Sequence, residues 1–200
     1  SPLSHTPVVT RREIRRMTAI DVLLARLRER FHVEAEITEL RIPYRETIRK
    51  SAQAQGRHKK QTGGSGQFAD CWLRVEPNPG AGYEFLDEIV GGRISKPYIV
   101  AIDKGVQDTM ASGAIAGYPV QDVKVAVYDG SMHSVDSNEM AFKTAARIGF
   151  RAAVEKADPV ILEPMMAVEV ETPEDYAGSV MGDLSSRRGM VQGMDDMPGG

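Results

Sequence analysis

The sequence predicts an α+β protein, and three observations carry that reading. Ala69, Cys71, Leu73 and Val75 alternate with Asp70, Trp72 and Arg74, while Val123, Val125 and Val127 alternate with Asp122, Lys124 and Ala126, the period of strands with one buried face. Ile99, Ile102, Val106 and Met110, and later Phe142, Ala145, Ala146, Gly149, Phe150 and Ala153, recur instead at helical spacing. At 200 residues, 42% hydrophobic and 26% charged, the chain has the material for one large domain or two small ones, and wholesale disorder is excluded.

The elements follow in order. A first helix starts at Thr10 or Thr18, each with an acid three residues on (Glu13, Asp21), and ends near Phe31. Met17, Ile20, Leu24, Leu27 and Phe31 give it one core-facing side. Residues 33–42 read as a strand, with Val33, Ala35 and Ile37 alternating against Glu34, Glu36 and Thr38. Pro43 breaks it, a domain boundary falls near residue 41, and residues 44–50 resume as extended chain before a polar stretch at 53–66.

Beyond the strand at 69–75, Pro77, Pro79, Gly80 and Gly82 mark one turn and Gly91 with Gly92 another. Ser95 and Pro97 open the next helix, which stops around Gly113. The strand at 123–127 ends in the turn pair Asp129 and Gly130. Asp136 or Ser137 caps a long helix to about Lys156, whose small inner residues imply close packing on a sheet. Asp158 and Pro159 end it; residues 160–171 read as a strand interrupted by Pro164, followed by a helix from Thr172 that turns Ala177, Val180, Met181 and Leu184 inward, and a strand at 189–194. A strand, helix and strand of that size bury too little to stand alone, so both ends read as pieces of neighbouring domains in a longer protein.

Charge is unevenly spread. Residues 1–67 carry 14 Lys and Arg against 7 Asp and Glu, a net of +7, and residues 68–200 carry 11 against 21, a net of −10. From Arg49 to Lys60 there are six basic or imidazole side chains and no acid, which suits a surface that meets polyanions. Cys71 is the only cysteine, so no intramolecular disulfide forms and a reducing compartment is expected. No apolar run approaches the ~18 residues of a membrane span and residues 1–16 lack a signal-peptide core; no membrane partner and a cytoplasmic location are expected.

Several chemistries find no match. In Lys59, Lys60, Gln61, Thr62, Gly63, Gly64, Ser65, Gly66 and Gln67 the lysines precede the glycines and a strand follows, the reverse of a phosphate loop, and no helix N-terminus follows as a dinucleotide site requires. His5, His32, His58 and His133 are scattered and have no second cysteine to join, so no metal site is expected. The adjacent acid pairs Asp87 with Glu88 and Asp195 with Asp196 cannot face one site. No catalytic residue is assigned. What remains is the cationic glycine-rich loop 59–67 and a second loop of Gly130, Ser131, Met132, His133 and Ser134. Backbone amides freed by glycine, with Lys59, Lys60, Gln61 and His133, supply donors suited to RNA backbone and 2′-hydroxyls. On these residues alone, a small-molecule enzyme using the glycine loop for a phosphorylated ligand stays open.

The runs Lys60 through Gln67, Gly91 with Gly92, Ala116 through Val120 and Asp129 through Ser137 resemble elongation factor G, the translocating GTPase of translation. Tyr44, Arg45, Glu46 and Thr47, then Leu162, Glu163 and Pro164, Gly182, Asp183 and Leu184, and Arg187, Arg188 and Gly189 extend the resemblance over about residues 42–194. It implies that 1–40 is the tail of domain III, 41–160 the whole of domain IV, and 161–200 the first half of a ferredoxin-like domain V. Domain IV would be a two-layer sandwich with a left-handed βαβ crossover. Its tip loops, 59–67 and 130–134, would contact tRNA and mRNA in the small-subunit decoding centre, with Gln61 and His133 nearest the codon and anticodon, as a wedge against backward slippage. The ribosome, through rRNA, tRNA and mRNA, is the implied partner, and DNA is not. GTP and Mg2+ would belong to a GTPase domain of the parent protein, with no cofactor in this chain. Phe68 and Met132 stand where tyrosines are usual, which points to a divergent or second-type member. A recycling factor, a ribosome-protection factor and an idle paralogue share the same tip.

Overall fold

The computed structural model describes residues 18–35, 41–61, 63, 64 and 66–195. Along them run α1 (Thr18–Phe31), β1 (Arg45–Ile48), β2 (Ala52–Lys60), β3 (Gln67–Pro77), β4 (Glu84–Asp87), α2 (Lys96–Ser112), β5 (Val123–Ser131), α3 (Glu139–Lys156), β6 (Pro159–Leu162) and α4 (Glu174–Ser186). The chain divides into two units, Ser1–Pro164 and Met165–Gly200.

In the first unit four strands form a sheet in the order β2-β3-β5-β4. β2 and β3 are a hairpin in register from Ala52 opposite Val75 to Lys60 opposite Gln67. β5 runs antiparallel to β3, with a register shift between Trp72 and Leu73, and β4 lies parallel to β5. Parallel neighbours need a crossover, and α2 supplies it. Ala69, Cys71, Leu73 and Val75 of β3 and Val123, Val125 and Val127 of β5 lie wholly buried against the helices. α3 packs on β2 and β3, and α2 packs beside α3. The result is the mixed α+β class expected, a four-stranded sheet covered by a helical layer, with a second, two-stranded sheet of β1 and β6.

The predicted helical stripes lie in this core: Ile99, Ile102, Val106 and Met110 of α2, and Phe142, Ala145, Ala146, Gly149, Phe150 and Ala153 of α3. Pro97 sits in the first turn of α2 and Gly113 ends it with φ 86°. The cap of α3 differs from expectation. Asn138, not Asp136 or Ser137, accepts from the Ala141 amide at 2.8 Å. β1 and β6 pair with each other, Arg45 opposite Leu162 and Ile48 opposite Pro159.

The polar stretch at 53–66 is mostly not a loop: β2 runs to Lys60, with Ala54 and Gly56 buried beneath α3. Its small inward residues leave no hydrophobic alternation to read, yet they are what lets the helix approach. β4 carried no sequence signal either, being four residues long. Asp129 and Gly130 are not a turn but continue β5, opposite Trp72 and Cys71.

The ends depart further. Helix α1 forms from Thr18; Thr10, the other start, lies outside the described residues. Of its expected core-facing stripe, Phe31 is 67% exposed and Leu24 and Leu27 are only half-buried, while Met17 lies outside the described residues. Residues 32–35 and 41–44 have no strand structure, and Ile37 lies outside the described residues. Of 160–171 only the start is paired, within β6, because β1 offers it four partners. In the second unit α4 forms one residue after Pro173 but buries no residue, and 189–194 is not a strand. A strand exists only with a ladder partner, and none reaches these segments among the described residues.

Candidate nucleic-acid interface

The hairpin and the β5–α3 connection meet at one end of the sheet. β2 and β3 carry Lys59, Lys60 and Gln67 as paired strand residues, so the turn itself is 61–66. Gln61 is exposed, and Gly63 and Gly64 adopt φ 84° and 128°. A Cβ on either glycine would meet no atom within 4 Å, so backbone conformation and not space requires glycine there. Thr62 and Ser65 lie outside the described residues. His58 Nε2 lies 2.8 Å from Gln67 Oε1 at the hairpin's neck.

Gly130 and Ser131 are likewise strand residues. A Cβ at Gly130 would stand 2.3 Å from Asp70 O and 2.6 Å from Ile94 Cδ1, so here glycine serves a close approach. Asp129 accepts from the Gly130 amide at 2.8 Å and from Arg93 at 2.7 Å, which together hold its carboxyl below the usual range. Met132, His133 and Ser134 form the exposed loop proper.

A set of short contacts ties this loop to the hairpin. The Phe68 amide donates to Asp136 O and the Ser137 hydroxyl donates to Phe68 O, both at 2.8 Å. The His133 amide donates to Ser137 Oγ at 2.8 Å. The His133 imidazole lies parallel to the Phe68 ring, centroids 3.6 Å apart and planes 1° apart. Gly66 abuts Asp136, whose Oδ1 would be 3.0 Å from a Cβ there. Tyr98 of α2 donates its hydroxyl to Ser137 O at 2.9 Å, anchoring the loop's far side. The base of the hairpin and the second loop are thus joined at Phe68, Asp136 and Ser137, with Gln61 and His133 both exposed. Arg57, on β2, places its guanidinium 5.8 Å from the Phe68 ring centroid.

The described residues include no cluster of three metal-ligating side chains. Cys71 is wholly buried, and burial first, then the neighbouring Asp70 charge, pushes its thiol up to about 12, so it holds no reactive thiolate.

The family model for elongation factor G, domain IV, matches residues 40–158, more than half of the chain. The chain belongs to the elongation factor G family. The model for the elongation factor G C-terminus matches residues 160–200. The crystal structure of ttk003000868 from Thermus thermophilus is similar at 40% identity and a TM-score of 0.72, covering 89% of this chain and 26% of that one. This elongation factor G chain therefore spans about a quarter of that protein's length.

Within the elongation factor G domain, sequence reasoning missed the residues that join the loops: Phe68, Asp136 and Ser137. A signal existed for the first. Phe68 shares strand parity with Asp70, Trp72 and Arg74 on the polar face, yet an aromatic ring there calls for a cover, and Phe68 is only 6% exposed. The two hydrogen-bonding residues gave no such sign, since Asp and Ser before a helix read first as caps.

Proposed function

We propose that this chain is the RNA-contacting part of a ribosomal translocation factor. The hairpin end 59–67 and the loop 130–134 enter the small-subunit decoding centre and touch tRNA and mRNA, with rRNA around them. The parent protein drives this with GTP and Mg2+ held in a GTPase domain; the residues of this chain bind and position but break no bond. The working location is the cytoplasm, and residues 1–40 and 161–200 belong to the flanking domains III and V.

One observation carries the reading: both loops come together through the Phe68, Asp136 and Ser137 contacts, with Gln61 and His133 outward and Lys59 and Lys60 directly behind. A glycine-rich turn backed by cations suits phosphate and 2′-hydroxyl contacts, which position and do not need sequence.

Affinity for small ribosomal subunits carrying mRNA and tRNA is expected to fall steeply with salt. Replacing Lys59 and Lys60 by Ala removes two phosphate contacts and lowers the log–log salt slope by roughly 0.7–0.9 per lysine. An unaltered slope overturns the electrostatic role. In the full-length protein, His133→Ala is expected to slow translocation and leave GTP hydrolysis intact; loss of both together overturns a role confined to the tip. A recycling or protection paralogue would instead show unchanged translocation and altered subunit splitting or drug release.

A further inference from the structure

The stack of His133 on Phe68 does more than fill space. Phe68 shares β3 parity with Asp70, Trp72 and Arg74 and lies outside the buried core cluster. The His133 ring lies parallel to it at 3.6 Å, and the Arg57 guanidinium stands 5.8 Å from its centroid. The backbone is closed at the same point, because Ser137 Oγ accepts from the His133 amide and donates to Phe68 O, each at 2.8 Å. His133 is thereby held at both its backbone and its ring, while the side chain remains exposed. An exposed imidazole with no such support would sample several rotamers and lose that freedom on contact with RNA; a ring already fixed loses little.

We propose that Phe68 is the positioning residue for His133. It fixes the imidazole with one face covered and the other open to RNA, and it ties the second loop to the base of the hairpin. This rests on the RNA-contacting role proposed above for His133, and it names what makes that role effective. An aromatic ring of similar size preserves the function: Phe68→Tyr keeps the stack, whereas Phe68→Leu keeps the burial and removes it.

Two arms separate the proposal from the reading beneath it. In NMR spectra of the 200-residue chain, His133 ring protons are expected to be shifted upfield by the Phe68 ring current, to stay shifted in Phe68→Tyr, and to move to ordinary positions in Phe68→Leu. This arm needs no ribosome, and an unshifted wild-type ring overturns the proposal whatever the chain binds. The second arm is a double-mutant cycle on affinity for small subunits carrying mRNA and tRNA. Phe68→Leu is expected to weaken binding on the order of fivefold in the wild type, to have no effect in a His133→Ala background, and Phe68→Tyr to bind as the wild type does. An equal loss in both backgrounds shows that Phe68 acts through general structure and overturns the proposal. Failure of every form to bind overturns the RNA-contacting reading, while the NMR arm still decides whether Phe68 fixes the ring.

Discussion

A carboxylate that leaves water must recover its hydrogen bonds from the protein, and Glu46 shows how this fold arranges that. It is 1% exposed, and its Oε2 accepts from the Ala114 and Ile115 amides at 2.9 and 3.0 Å while Oε1 accepts from Ala116 and Tyr118 at 2.7 and 3.0 Å. Burial alone would raise its pKa; the four amides together outweigh burial and hold it below the ordinary 4.5. A carboxyl with a lower pKa folded than unfolded stabilises above about pH 4.5, and that contribution is lost as pH falls through the folded value. Glu46→Gln points an amide donor at two backbone donors and is expected to cost about 2–3 kcal/mol in urea unfolding at pH 7. Between pH 6 and 3 the wild type should lose stability more steeply than the variant. The same residue marks a limit of sequence reading. Glu46 was legible only as part of a family motif, because nothing in a strand's alternation tells that an acid on it will be enclosed by a loop some seventy residues away.

Among the elements, the contact of β2 with α3 is the tightest. A Cβ at Gly56 would stand 1.9 Å from Ala145 O and 2.8 Å from the Gly149 amide, and one at Gly149 would stand 2.9 Å from the Gly56 amide. Two backbones meet here with no side chain between them, so neither can yield by rotating a bond. Gly56→Ala is therefore expected to cost more than about 3 kcal/mol, read as a fall in the urea midpoint, whereas Gly63→Ala, with open space around it, should cost only its backbone strain. The small inner face of α3 announced such an approach in the sequence, since Ala145, Ala146 and Gly149 have little else to do there. Its counterpart on β2 did not. With Gln, Gly, Arg and His in place of branched apolar residues, β2 has the composition of a loop, and it is a strand because β3 beside it and α3 beneath it supply the ladder and the cover. The strands expected at 160–171 and 189–194 are the converse: of the first only the start finds a partner, in β1, and the second finds none among the described residues, while of the strand expected at 33–42 the described parts, 33–35 and 41–42, are unpaired. The loops of the candidate interface are likewise narrower than the sequence suggests, Lys59, Lys60, Gln67, Gly130 and Ser131 being strand residues that flank the turns.

For the molecule as a whole, the first and last strands of the sandwich are each other's partners, Arg45 opposite Leu162. Antiparallel partners keep their Cα atoms within about 5.5 Å of one another, so the polypeptide crosses into and out of this body through a single narrow gate. Among the described residues the buried core runs from Ile48 to Ala157, inside that gate. The sandwich is thus a cassette: spliced through short linkers into a surface turn of an unrelated host, residues 42–163 are expected to fold without parting the host's own backbone by more than a strand spacing. Cooperative melting of the graft alongside an unshifted host transition in calorimetry would bear this out, and an unfolded graft would show that the gate is held shut from outside.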